Sequence, residues 1–321
     1  AALGLRVQPI LCFSNDVRAA IERYYVSRKA PPSPEDVQRL RSSLRLSLVA
    51  RLVREIDSFP ALPETVYQVQ QAMTNPRSSV QEVADIIILD PPVVAKVLSV
   101  ANSAAYGFPR RIDDVKLAIA LLGLRETYFI VLSAAVLNVF EKSRYLDYKR
   151  FWLQAVCCAA ATRYVTKAAR CKQLSGVFSA GLLHDIGRVA LAQVAPTLYV
   201  RIDPHAADQA LLESEESQVG ISHTEAGHEL ALHWDLPIEI AEPIRFHHRP
   251  GQAAKAKEQV AVVALAEAMS RASGSTIEEN CGIFDGRQEA LSILGIDSEL
   301  AEAMLEEFLT RRGEAIRDAI T

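Results

Sequence analysis

The chain is expected to be all-α, and three observations carry that reading. Helix start and stop signals recur along its 321 residues, apolar positions repeat at three and four rather than at two, and the composition is that of an ordinary folded protein. Half of the residues are apolar and 23% are charged, with 14 Gly and 15 Pro. Those proportions exclude a disordered or collagen-like chain, and the length excludes a small disulfide scaffold.

The elements follow in order. Ser33-Pro34-Glu35-Asp36 sets an N-cap and a proline at the first helical position ahead of Val37, Leu40, Leu44, Leu48 and Leu52. The arm they form is amphipathic and basic, since Arg18 to Arg54 holds nine basic and three acidic residues. Ser79-Val80-Gln81-Glu82 reads as a capping box and Asp90-Pro91 as another start. Asp113 or Asp114 caps a helix through Ile119 and Leu122 to Gly123, and Ser222-His223-Thr224-Glu225 opens a further one. Glu299 to Leu309 is rich in helix formers. Breaks at Ala30–Pro34, Phe59–Pro63 and Arg249–Gly251 suggest an N-terminal basic helical extension (1–57) and a central domain (58–252). That domain divides into two helical lobes (58–145 and 146–252), and a C-terminal helical extension (253–321) follows.

The longest uncharged stretch in the most apolar part, Tyr128 to Phe140, has 13 residues. A membrane helix needs about 18 or more, so no membrane span is expected. The first 15 residues show no secretory leader, and the five cysteines include no C-x-x-C pair. The expected location is therefore a reducing, cytoplasmic one. Net charge is −4, but Asp203 to Glu242 carries ten acidic residues and no Lys or Arg, a tract that tolerates cations and repels phosphate backbones. Nucleic acid is not an expected partner, because the basic arm has few aromatics (Tyr24, Tyr25) and no recognised motif. The arm suits packing on the main body or pairing with a second copy, which leaves a homo-oligomer open.

The chemistry concentrates in the histidines. Six of the seven lie between His205 and His248, and the seventh, His184, stands in Gly181-Leu182-Leu183-His184-Asp185-Ile186-Gly187. An adjacent His-Asp pair offers an imidazole nitrogen and a carboxylate oxygen that can bind one divalent ion or bridge two. The same pair can instead be a buried, hydrogen-bonded strut between helices. His223 beside a capping box, the His247-His248 doublet and the acidic surroundings extend the group. His205, His228 and His233 are assigned surface or packing roles, Asn102 a capping or inter-lobe role, and Trp152, Trp234, Cys157 and Cys158 to packing.

These residues resemble the HDOD module, a relative of the HD metal-dependent phosphohydrolases, over about Phe59 to Pro250. The resemblance rests on Leu62-Pro63, on Asp90-Pro91 followed by Ala101 to Gly107, and on Ala118 to Gly123. Phe151-Trp152, the Gly181 to Gly187 motif, His223 to Gly227, Trp234 with Leu236-Pro237 and His247 to Pro250 continue it. It implies a two-lobed, HD-like all-α bundle in a bacterial signalling protein that works through other signalling proteins or a small ligand, without catalysis. The alternative it implies is a metal-dependent phosphohydrolase, a phosphodiesterase or phosphatase. His184, Asp185, His223, His247 and His248 match metal ligands of the catalytic relatives. Gln154 stands where those relatives carry a histidine, and Glu267 where they carry an aspartate. The implied cofactor is one or two divalent ions (Fe, Mn, Zn, Mg or Ni), or none. No Gly-Tyr-Pro signature follows the His doublet, which argues against cyclic-dinucleotide hydrolysis.

Overall fold

The computed structural model describes residues 53–56, 59–75, 77–102, 108–139, 146–171, 174–203, 208–272 and 287–320. The basic arm up to residue 52 with its Ser33 cap, the break at Ala30–Pro34 and His205 lie outside these residues. Between Glu64 and Ile320 the described residues form fifteen α-helices and one 3-10 turn and contain no strand, so the all-α expectation holds.

The first five helices are α1 (Glu64–Thr74), α2 (Val80–Ile87), α3 (Pro91–Ala101), α4 (Val115–Leu122) and α5 (Leu124–Val139). Their starts are the ones the sequence marks. Ser79 Oγ accepts the Glu82 N–H, Asp90 accepts from Val93, and of the two candidate aspartates it is Asp114 that caps α4, accepting the Leu117 N–H at 2.6 Å. Asn102 sits at the C-cap of α3 rather than within a helix; its amide donates to Leu98 O and Ile112 O and accepts from Ile112 N, tying the helix end to the following loop. Gly123, at φ +84°, turns the chain between α4 and α5. The apolar run from Tyr128 belongs to α5, where Tyr128, Phe129, Val131, Leu132 and Val136 are buried in the core. Among the described residues no single helix is long and apolar enough to cross a membrane, and the apolar pair α4 and α5 is bent by 115°.

The remaining helices are α6 (Tyr148–Ala168), α7 (Val177–Leu183), α8 (Ile186–Val194), α9 (Pro196–Tyr199), α10 (Asp208–Gln218), α11 (His223–His233), α12 (Ile238–Phe246), α13 (Lys257–Ala272), α14 (Gln288–Leu294) and α15 (Ser298–Ile320). Small residues set their spacing: a Cβ on Gly181 of α7 would lie 2.7 Å from Thr162 Cγ2 of α6. Cys157, Cys158 and Ala161 of α6 pack with Val262, Leu265 and Met269 of α13 and with Phe308 of α15 in one apolar cluster. A second cluster runs from Ile56 through α5 and α8 to Ile244 and Val263. Apolar core is thus shared continuously by α1–α5 and the helices that follow. Polar contacts pin the same junction: Trp234 Nε1 donates to Pro60 O at 3.0 Å, the Glu126 carboxylate accepts the Gly176 N–H at 3.1 Å, and Arg125 pairs with Glu239. Trp234 is buried in the core and Trp152, half-buried in α6, packs against it, so both take the packing role expected of them.

Candidate metal centre

The His-Asp pair is where two helices meet. His184 terminates α7, and Asp185 occupies the N-cap position of α8. His184 Nδ1 engages Gly181 O at 2.8 Å in its own last turn, which turns Nε2 toward the interior. His223 is the first residue of α11, fixed there by a complete capping box between Ser222 and Glu225. It reaches Asp185 because α8 and α11 cross on glycine. A Cβ on Gly187 would overlap the His223 carbonyl oxygen and lie 2.6 Å from Gly227 N. His247 follows the last residue of α12, a helix containing Pro243, and its Nδ1 engages Pro243 O at 2.8 Å.

Asp185 stands between these rings. Its Oδ1 lies 3.2 Å from His223 Nε2 and 3.7 Å from His247 Nε2, and its Oδ2 lies 3.8 Å from His184 Nε2. His223 Nε2 is also 3.4 Å from His247 Nε2 and 3.2 Å from His248 Nε2. Glu267, buried in α13, lies 3.8 Å from His248 Nδ1. Two sets of ligand atoms, each mutually within 4.8 Å, result: His223, His247 and His248, and His184, His247 and Glu267. Six of the seven residues named from the sequence therefore converge. Gln154 contributes to the same place differently, lining a cavity of about 250 Å³ with Arg150, His184, Asp185, Arg188 and Tyr199. His228 and His233 belong to neither set of ligand atoms.

Further charged groups surround the cluster, and of these Glu215 and Arg287 are the ones that no motif in the sequence marks. The fully buried Glu215 carboxylate accepts both the backbone N–H of His223 and a hydrogen bond from its Nδ1. Arg188 pairs with Asp185 Oδ2 at 3.1 Å and donates to the Tyr199 hydroxyl at 3.2 Å. Glu267 is paired with Arg287 at 3.2 Å and with Arg271 at 3.6 Å. These surroundings set the charges. Burial opposes the charge on Asp185, but His184, Arg188, His223 and His247 together hold its pKa well below the usual value. Burial likewise opposes a proton on His223, yet Glu215 and then Asp185 raise its pKa. Burial, followed by His248 and His184, drives His247 well below the ordinary histidine value and keeps it neutral.

A model of the HDOD domain matches residues 59–250, more than half of the chain. The chain belongs to the HDOD family. A curated relative, an uncharacterized protein of Treponema pallidum (strain Nichols), is 28% identical over 247 residues, which is 75% of this chain and 47% of that protein. The chain thus spans about half the length of the curated relative it matches. An HDOD domain protein of unknown function from Geobacter sulfurreducens superposes with a TM-score of 0.65 at 23% identity, covering 87% of this chain and 98% of the other. A Marinobacter aquaeolei VT8 protein provisionally named for signal transduction gives 0.63 at 22% identity over 86% of this chain and 65% of its own. A Shewanella amazonensis SB2B protein provisionally named a metal-dependent phosphohydrolase gives 0.59 at 22% identity over 82% and 98%. Identities this low establish the shared fold alone.

Within this HDOD fold the residues present fit a divalent ion. His184 Nε2 is a buried nitrogen without a hydrogen-bond partner. With Nδ1 of His223 and His247 directed at Glu215 and at the Pro243 carbonyl, the two Nε2 atoms face each other at 3.4 Å, an arrangement that a shared cation or proton relieves.

Proposed function

We propose that the chain is a non-catalytic signal-transduction module built around a centre for one divalent ion, held by Asp185, His223, His247 and His248. It acts through contacts with other signalling proteins or a small ligand. One observation carries the reading: both carboxylates among the candidate ligands are already paired with guanidinium groups, Asp185 with Arg188 at 3.1 Å and Glu267 with Arg287 at 3.2 Å. What remains is a histidine-rich set suited to a single Zn, Fe, Ni or Mn ion and poorly suited to Mg, which prefers oxygen ligands. Gln154, where the catalytic relatives carry an imidazole, points the same way, because an amide oxygen is a weak ligand for such metals. The test is elemental analysis of protein purified without chelator, beside the double variant His184→Ala, Asp185→Asn. One ion per chain, lost in the variant, with no phosphoester turnover, is the expected result. Absence of metal from the native chain would sink the centre, and turnover abolished by the double substitution would sink the non-catalytic role.

The cavity over His184 and Asp185 favours a second reading, a metal-dependent phosphohydrolase. Arg150 and Arg188 line it and supply cationic character for a phosphoryl group. Its volume of about 250 Å³ suits a small monoester better than a dinucleotide. Hydrolysis of p-nitrophenyl phosphate by Mn²⁺-loaded protein, lost in the same double variant, is the result this reading requires.

A further inference from the structure

Of the second set of ligand atoms, His184 and Glu267 belong to it alone, since His247 is shared with the first. A cationic side chain from a distant part of the chain is already in place against Glu267. Arg287, at the N-cap of α14, is 5% exposed, and its Nη2 lies 3.2 Å from Glu267 Oε2. His184, Asp185 and Glu267 are all buried, and His184 directs a nitrogen without a hydrogen-bond partner into the same region. A buried carboxylate needs a positive partner, and a guanidinium and a metal ion are alternative ways to supply it.

We propose that Arg287 is a tethered cation occupying, from within the chain, a second divalent-ion position formed by His184 and Glu267 together with Asp185 Oδ2, which faces His184 Nε2 at 3.8 Å. The inference rests on the one-ion centre proposed above and explains what keeps the count at one. Arg271 supports the assignment by its weakness as a substitute. It lies 3.6 Å from Glu267 Oε1 and is 26% exposed, so the charge it offers is partly screened by solvent while that of Arg287 is not. Removing the Arg287 charge leaves Glu267 under-compensated inside the protein, and an ion at the His184 side restores the balance.

The experiment counts ions in the full chain. Native protein, Arg287→Gln and Arg287→Lys are equilibrated with Mn²⁺, desalted and analysed for metal, with folding checked by circular dichroism. Glutamine keeps a hydrogen-bond donor for Glu267 without the charge, whereas lysine keeps the charge. Expected counts are one ion for the native chain, two for Arg287→Gln and one for Arg287→Lys. Adding Glu267→Gln to Arg287→Gln is expected to return the count to one. In melting curves, Mn²⁺ is expected to raise the Tm of Arg287→Gln more than that of the native protein. Arg287→Ala provides a second neutral variant, with the same expected count, if the glutamine variant does not fold. A single ion in the neutral variants overturns the proposal and leaves the one-ion centre standing. Two ions in the native chain also overturn it. No ion in the native chain overturns the centre itself.

Discussion

The Glu215 carboxylate grips His223 twice, accepting its backbone N–H and its ring Nδ1 through the same oxygen at 2.7 Å each. The two residues lie on either side of the turn at Gly220, whose φ is +96°. By fixing the ring and holding a proton on Nδ1, Glu215 leaves Nε2 to face Asp185 at 3.2 Å. Glu215→Gln, which keeps the size and loses the charge, is expected to weaken Mn²⁺ or Zn²⁺ affinity by about 10- to 100-fold, the range for outer-shell partners of metal-bound histidines. Competition against a chelating dye measures it. Unchanged affinity would show that Glu215 only supports the backbone.

Gly187 tests whether the centre depends on the crossing of α8 and α11. A methyl group there would overlap the His223 carbonyl oxygen, and the neighbour that must yield is backbone rather than a flexible side chain. Gly187→Ala is expected to cost about 1–3 kcal/mol by overpacking. It should also lower metal affinity, since the shift needed to relieve the clash separates His223 from Asp185. A urea titration and the dye competition read the two effects. Loss of stability with intact affinity would place the strain elsewhere.

Glu242 has a different role, joining the helix before the His doublet to the start of α13. Its buried carboxylate accepts N–H groups from Ala254, Lys255 and Ala256, the last at 2.6 Å. Glu242→Ala removes these charge-assisted bonds and is expected to destabilise the protein by about 2–3 kcal/mol in a urea titration. Because Glu242 is outside both ligand sets, the metal count should stay at its native value.

The parts of this molecule legible in the sequence were those with local signatures. Helix starts depend on a side chain bonding an N–H three residues on, so Ser79, Asp90 and Ser222 could be read directly and Asp114 as one of two neighbouring candidates. His184, Asp185, His223, His247 and His248 could be proposed because motif and residue chemistry coincide, although only the fold shows that they approach one another. Glu215 and Arg287 were hidden for a physical reason. Each is an ordinary charged residue whose significance comes from burial and from one partner, and no spacing rule links Arg287 to Glu267, 20 residues earlier. The acidic tract from Asp203 to Glu242 was a true but diffuse signal: it contains Glu215 and Glu242, but gives nothing to separate them from solvent-facing neighbours such as Glu213.

The titration of the cluster predicts the pH dependence of metal-free protein. His247 has a folded pKa below its unfolded value, so its contribution to stability is complete above about pH 6.5 and is lost as pH falls below that toward the folded value. His223 has a raised folded pKa, so its contribution is complete below about pH 6.5 and is lost as pH rises through the folded value. Stability of chelator-treated protein is therefore expected to decline on both sides of about pH 6.5, each histidine contributing at most about 1.4 kcal/mol per pH unit. Substitution separates the two limbs. His247→Gln should flatten the acid limb, and Glu215→Gln, by removing the carboxylate that raises His223, should flatten the alkaline one. Urea denaturation at pH 5, about 6.5 and 8 reads both. An alkaline limb as steep in Glu215→Gln as in the native chain would mean that His223 is not the group that titrates there.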